Sequence, residues 1–100
     1  MVRHIVLFRI GATAAEQRRA DLAEMTKRLE SLHGVVPDIL SLGVHGDLGT
    51  VEGHWDVALV SEHTDAEALA TYQGHPAHRE VVRWLNTVVT DRAVVDHELP

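Results

Sequence analysis

The pattern of hydrophobic and polar positions changes between two periods along the chain. From Val2 to Ile10 the alternation has a period of two, which predicts a β-strand. Beyond Thr13 and Glu16, a pair with capping-box spacing, apolar residues recur every three or four positions and predict an α-helix. The residues that we expect this helix to bury are Leu22, Met25, Leu29 and Leu32. Gly34 is expected to end it, because glycine commonly follows a helix C-terminus.

The second half of the chain repeats these signals in a different order. Thr64 and Glu67 again have capping-box spacing and predict a short helix that is broken at Gly74. A glycine-rich segment, residues 46–53, is typical of a hairpin connection. The remaining strands are expected at about residues 39–45, 54–62 and 92–98. With a further helix after Gly74 the order is βαββαβ, an α+β, ferredoxin-like arrangement with its helices on one face of the sheet.

Both faces of the central strands carry apolar residues. In the first strand Val6 and Phe8 alternate with Ile5 and Leu7. The third strand has apolar residues of both parities: Trp55, Val57, Ala58, Leu59 and Val60. Since the helices cover only one face, the other face needs a cover of its own. A second copy of the same sheet supplies one, so the sequence predicts a homodimer.

The start of the last helix is the most informative local feature. Proline at the first helical position costs no hydrogen bond, so Pro76 is expected there, with His75 as the N-cap. A stripe of apolar residues follows at helical spacing: Val81, Val82, Leu85, Val88 and Val89. His78 lies three and four positions before this stripe begins, so an imidazole heads a buried row within the first turn. Burial and the helix dipole both disfavour the imidazolium ion and predict a neutral His78 near pH 7.

His4, Asp56 and Tyr72 are candidates to join His78 in one site. If the strand faces that carry His4 and Asp56 turn toward the helices, all four side chains converge between helices and sheet. The site would then hold a neutral base, His78, a phenol donor, Tyr72, and an orienting pair, His4 and Asp56. A functional site of this kind needs a cavity of at least roughly a few hundred Å³ that is open to His78. The alternative is an internal polar network that only fixes the packing.

Four segments together give the chain a family resemblance. They are His4–Phe8, Trp55–Val60, Thr71–His78 and Val94–Asp96, and the resemblance extends from about Val2 to about Glu98. In order and spacing they resemble the stress-responsive dimeric α/β-barrel (Dabb) domains. The resemblance implies a ferredoxin-like fold that pairs into a dimeric barrel, in a family whose members mostly lack an assigned activity.

The Tyr-x-x-His-Pro-Ala-His run that begins at Tyr72 also resembles plant polyketide cyclases of this family. These enzymes close a linear polyketide by an intramolecular aldol condensation. The resemblance implies that Tyr72 and His78 are an acid/base pair and that His4 is a further site histidine. A pocket histidine of those enzymes aligns with Asp56, which changes the charge of the site, and the pocket walls differ as well.

Composition narrows the classes of function. One hundred residues with 45% hydrophobic content predict one domain, residues 1–100, with a small core. A net charge of −6 opposes a phosphate backbone, so no nucleic-acid partner is expected. The absence of cysteine excludes a disulfide framework and a thiolate nucleophile. No signal peptide or membrane-spanning run is recognisable, so we expect a soluble, cytoplasmic protein without membrane contact.

The remaining histidines give little support for a metal site or a cofactor. His75 and His78 have a metal-compatible spacing, but His75 already has a capping role and no third ligand stands at a fixed distance. We therefore expect neither a metal nor a cofactor. The other histidines occupy predicted turns or strand ends, where we expect them to be exposed: His33, His45, His63 and His97.

Two classes of function fit the sequence. The first is a dimeric barrel that binds a small, largely apolar molecule between helices and sheet, with cyclase-like or lyase-like chemistry by His78 and Tyr72. The second is a non-enzymatic stress-response or assembly protein in which the same polar residues are structural. A cavity open to His78 would favour the first class, and a collapsed core there would favour the second.

Overall fold

The structure, a computed structural model, describes residues 1–100. The elements are β1 (Val2–Ile10), α1 (Ala15–Glu30), a 3-10 turn (Ser31–Gly34), β2 (Ile39–Gly46), β3 (Val57–His63), α2 (Ala66–Gly74), α3 (Pro76–Leu85) and β4 (Val89–Glu98). The four strands form one antiparallel sheet in the order β2-β3-β1-β4. The predicted ferredoxin-like fold is confirmed, with the first and third strands in the centre.

The two faces of the sheet have different surroundings. On β1 the residues of even number from His4 to Ile10, including Val6 and Phe8, are buried against the helices. Their partners in the register are Leu59 and Val57, so the residues of odd number on β3 share this helix-covered face. Residues of opposite parity form the other face, which the helices leave uncovered. This open sheet face carries Ile5, Leu7, Ala58, Val60, Ala93 and Val95.

The core lies between the helices and the covered face of the sheet. Met25 and Leu29 of α1 are buried there as predicted, and Leu32 joins them from the 3-10 turn. Leu22 is only partly buried at the edge of this cluster. The helices α2 and α3 add their own apolar side chains: Leu69, Tyr72, Val81 and Leu85.

The expected N-caps of α1 and α2 each lie one residue before the observed N-caps. The N-cap of α1 is Ala14, whose side chain cannot accept a hydrogen bond, and not Thr13. The N-cap of α2 is Asp65, whose Oδ1 accepts a hydrogen bond from the backbone N–H of Ala68 at 2.8 Å. Thr64 is therefore outside the helix. A carboxylate in that position satisfies a free N–H group and also faces the positive end of the helix dipole.

The corrected cap predicts a difference between two neighbouring substitutions. Asp65→Ala removes the capping oxygen and should lower the free energy of unfolding by about 1 kcal/mol. Thr64→Ala, the matched control, should change it by less than about 0.5 kcal/mol, because Thr64 is exposed and makes no side-chain hydrogen bond. Urea denaturation of the two variants measures both values, and equal losses would contradict this assignment.

The start of α3 is as expected, whereas its end is not. Pro76 occupies the first turn and His75 is the N-cap, with Nδ1 accepting a hydrogen bond from the Ala77 N–H at 3.0 Å. The helix ends at Leu85, so Val88 and Val89 lie beyond the helical stripe that was expected to include them. Their spacing fits a continued helix equally well, but the chain turns and enters β4 instead. No helix of the structure combines the length and apolar character that crossing a membrane requires.

Candidate functional site

Tyr72 lies at the centre of a cluster of aromatic rings beneath the helices. Its side chain is 1% exposed. The ring centre of His78 is 4.6 Å from that of Tyr72, and those of His63 and His4 are 5.0 Å and 6.3 Å away. Three of the four predicted site residues, His4, Tyr72 and His78, are therefore brought together, and His63 joins them.

A cavity of about 140 Å³ opens beside this cluster. Its polar lining residues are His4, Tyr72, Gln73, His78 and Arg92, and the rest of the lining is apolar. The exposed lining residues, among them Gln73 and Arg92, mark the side on which it meets solvent, along β4. The cavity is open to His78, as expected, but smaller than the few hundred Å³ that we expected. It therefore restricts any ligand to a small molecule.

The protonation states of His78 and Tyr72 are complementary. Burial lowers the pKa of His78, and the positive charge of Arg92 acts in the same direction, while a contact with the backbone of Gln73 opposes the shift. The Nδ1 atom of His78 is buried and has no hydrogen-bond partner in the chain. Burial also raises the pKa of the Tyr72 hydroxyl to about 12. At pH 7 the pair therefore combines a neutral imidazole with a protonated phenol, as acid/base work requires.

The partner of His4 is Asp96, which the sequence reasoning did not place in the site. Nδ1 of His4 and Oδ1 of Asp96 are 2.5 Å apart, and His4 is buried. The two residues lie opposite each other in the register of β1 and β4. Asp96 belongs to the Val94–Asp96 segment that the sequence singled out, but only the strand register shows that it faces His4. The contact holds the His4 ring in one orientation.

The expectation that Asp56 belongs to this site is wrong. Asp56 lies just before β3, where its Oδ2 accepts a hydrogen bond from the Ile10 N–H at 2.8 Å. Its Oδ1 accepts another from Nη2 of Arg18 at 2.6 Å, which ties the end of the sheet to α1. The physical reason is position along the strand, because Asp56 precedes Val57 at one end of β3, whereas His4 pairs with Ser61 near the other end. Asp56 is a structural residue at the far end of the strand.

His63 was expected at an exposed strand end, and this expectation is also wrong. The residue is 0% exposed, and its Nε2 is 2.9 Å from the hydroxyl of Ser61, which is buried as well. Its Nδ1 has no partner. Burial is the largest cause that lowers the pKa of His63. The pattern within β3 could not have revealed it, because residues of both parities are apolar there; the pairing with β1 shows that every second residue from Val57 to His63 faces the core.

The remaining expectations about the histidines concern their exposure and a metal site. His33 and His45 are exposed, as expected, whereas His97 is partly buried. The histidine, aspartate and glutamate side chains form no group of three or more in an arrangement that could hold a metal ion.

The buried His63 and the half-buried His78 predict a stability that depends on pH. Because the folded pKa of His63 and His78 lies below the unfolded value of 6.5, the unfolded chain binds more protons in acid. The free energy of unfolding should therefore be constant above about pH 7 and decrease as the pH falls below about 6.5. Denaturation at several pH values measures this slope. His63→Gln should reduce it, whereas the exposed control His45→Gln should leave it unchanged, and a profile without a slope would contradict the assignment.

Comparison with solved structures identifies close matches to the fold. A dimeric protein of unknown function with a ferredoxin-like fold from Bacteroides fragilis is 27% identical, with a TM-score of 0.87 over 98% of this chain and 95% of that one. A dimeric ferredoxin-like protein of unknown function from Thermobifida fusca is 28% identical, with a TM-score of 0.81 over 98% of this chain and 90% of that one.

A more distant match has a known name. The hydroxynitrile lyase of Passiflora edulis is 16% identical, with a TM-score of 0.77 over 99% of this chain and 93% of that one, and shows the same fold. No curated protein matches the chain. The family model that matches is that of the Stress Responsive A/B Barrel Domain, over residues 2–99. The chain belongs to this family.

Proposed function

We propose that this protein binds a small carbonyl compound in the cavity beside Tyr72 and activates it by acid/base chemistry. The observation that carries the proposal is the contact between the Tyr72 and His78 rings, 4.6 Å apart at the wall of the cavity. A neutral base and a protonated donor that face the same small space are the two groups needed to move a proton next to a carbonyl group.

In the proposed reaction, His78 takes a proton from the carbon next to the carbonyl group. The electron pair of that C–H bond moves toward the carbonyl oxygen, and the Tyr72 hydroxyl donates a hydrogen bond to the resulting enolate oxygen. The enolate carbon can then attack an electrophile or recover the proton from His78. His4, held by Asp96, is the third polar group of the wall and helps to orient the bound molecule.

The cyclase resemblance supports this class of chemistry and not its substrate. An aldol condensation also begins with proton loss next to a carbonyl group, and the residues it implies, Tyr72, His78 and His4, all line the cavity. A volume of about 140 Å³ is too small for a long linear polyketide, so we infer a shorter compound. The hydroxynitrile lyase shares the fold alone and supplies no substrate for this chain.

We also propose that the protein is a homodimer that buries the open sheet face. The helices leave this face uncovered, and Val95 on it is 61% exposed. The relatives from Bacteroides fragilis and Thermobifida fusca are dimeric, which supports the same assembly here. The cavity lies on the opposite face of the sheet, so pairing would leave its mouth open.

Two observations favour the non-enzymatic class. The cavity of about 140 Å³ is smaller than the few hundred Å³ that a functional site was expected to need. The buried pair Ser61 and His63 belongs to the same polar cluster but does not line the cavity, as expected of a network that fixes packing. Ligand binding separates the two classes. Hexane-2,5-dione, a small neutral diketone, should shift the backbone amide resonances of the cavity residues in an NMR titration. Tyr72→Phe should weaken this binding by about fivefold to tenfold, the value of one hydrogen bond. The absence of shifts at the cavity would support the structural class.

A further inference from the structure

Arg92 is a charged residue of the cavity for which the acid/base pair provides no role. It lies on β4 opposite Phe8 in the strand register, so its side chain is on the helix-covered face of the sheet. The guanidinium carbon is 5.8 Å from the centre of the Phe8 ring. Arg92 lines the mouth of the cavity next to Val94, and both residues are exposed to solvent.

The charge of Arg92 has no acidic partner in the chain. Its Nη2 donates a hydrogen bond to the side-chain oxygen of Asn86 at 2.6 Å, and no carboxylate forms a salt bridge with it. The nearest carboxylate on the same face of β4, Asp96, is hydrogen-bonded to His4. A guanidinium group has five N–H donors in a planar fork, so most of its donors stay available to a ligand.

The rest of the cavity has no negative charge. None of its lining residues is acidic, and apart from the polar residues already named they are apolar. The positive charge of Arg92 is close enough to His78 to help lower the pKa of that imidazole. The cavity is therefore an apolar space with a fixed positive charge at its mouth and an acid/base pair on its wall. Such a space favours a molecule with an anionic end.

The size of the cavity limits the length of this molecule. About 140 Å³ corresponds to roughly five water molecules at about 30 Å³ each. A ligand of about five to eight non-hydrogen atoms would fill this space. We propose that Arg92 binds the carboxylate of a small oxo acid whose carbonyl group lies at Tyr72 and His78. This inference rests on the proposed function and adds to it the chemical class of the substrate.

Two probes of equal size test the inference. Levulinate has a ketone and a carboxylate, and hexane-2,5-dione has the same shape with a methyl ketone in place of the carboxylate. Titration of the full protein, followed by amide resonances, should show levulinate binding about tenfold more tightly, because charge-assisted hydrogen bonds to arginine are the stronger kind. The shifts should include the residues around Arg92.

Variants assign the difference to one side chain. Arg92→Gln should reduce the affinity for levulinate about tenfold and leave the affinity for hexane-2,5-dione unchanged. Arg79→Gln, the matched control, removes an equal charge from exposed α3 without touching the cavity, and should change neither affinity. Equal binding of the two probes by the unmodified protein would overturn the role of Arg92 and leave the proposed function intact. A lack of binding by either probe would overturn both.

Discussion

Leu7→Asp should convert the dimer into a folded monomer. Leu7 lies in the middle of the central strand β1 on the open sheet face, between Ala58 and Ala93 of the neighbouring strands. In the proposed assembly the substitution places an unpaired carboxylate at the centre of each half of the interface, at a cost of several kcal/mol for each charge. Light scattering coupled to size-exclusion chromatography should report the mass of one chain, and circular dichroism should report an unchanged fold.

Two further substitutions make this result specific. Val57→Asp places the same charge on the adjacent strand but on the covered face, where Val57 is 2% exposed in the core. This variant should unfold and not merely dissociate, because the carboxylate has no partner there. Val35→Asp, on an exposed loop, should remain a folded dimer. If Leu7→Asp retains the mass of two chains, the open sheet face is not the interface.

The difference between Leu7 and Val57 shows how far the sequence alone could be interpreted. On β1 the alternation correctly separated Val6 and Phe8 from Ile5 and Leu7. On β3 both parities are apolar, so the pattern could not tell which set faces the helices. The assignment of Asp56 to the site failed because Asp56 lies at the opposite end of β3 from Ser61, the residue that pairs with His4. Only the pairing of β1 with β3 determines that Val57 and Leu59 lie inside.

The candidate site was predictable to the extent that it depends on local signals. His75 and Pro76 set the start of α3, and that start places His78 one turn below the buried valines. The position of Tyr72 follows from the helix break at Gly74, because this break ends α2, the helix that carries Tyr72, next to the start of α3. The contributions of Asp96 and His63 were not predictable in this way, because each depends on which residues face each other across the sheet. Strand register is set by the packing of the whole sheet and not by any short segment.

The identity of Arg92 as a cavity residue has the same origin. In the sequence it is one of eight arginines, at the start of the strand expected at about residues 92–98, and no local pattern distinguishes it from the others. Opposite Phe8 on the covered face it becomes the single cationic residue at the cavity mouth. The proposed role of the Arg92 charge therefore depends on the strand register, which places it beside the apolar cavity.

His78→Gln should slow proton transfer by about 100-fold or more while the fold is retained. The neutral imidazole of His78 is the only base proposed for the cavity, and glutamine has a similar size but cannot accept a proton near pH 7. In D₂O the unmodified protein should speed the exchange of the protons next to the carbonyl groups of hexane-2,5-dione, as followed by the loss of their NMR signal. The variant should be slower by about 100-fold or more, the usual contribution of a general base. His45→Gln, at an exposed position, should exchange at the unmodified rate.

The same variant separates catalysis from structure. If His78 only fixes the packing, its replacement should lower the free energy of unfolding by about 1–3 kcal/mol and leave exchange and binding unaltered. If it is the base, the melting temperature should stay close to that of the unmodified protein, because Nδ1 of His78 makes no hydrogen bond of normal length and angle within the chain. Tyr72→Phe should also slow exchange, but by less, since it removes a hydrogen bond to the enolate oxygen and leaves the base in place. An unaltered exchange rate in a destabilised His78→Gln protein would refute the acid/base assignment. Slow exchange in a His78→Gln protein of normal stability is the result that the acid/base assignment predicts.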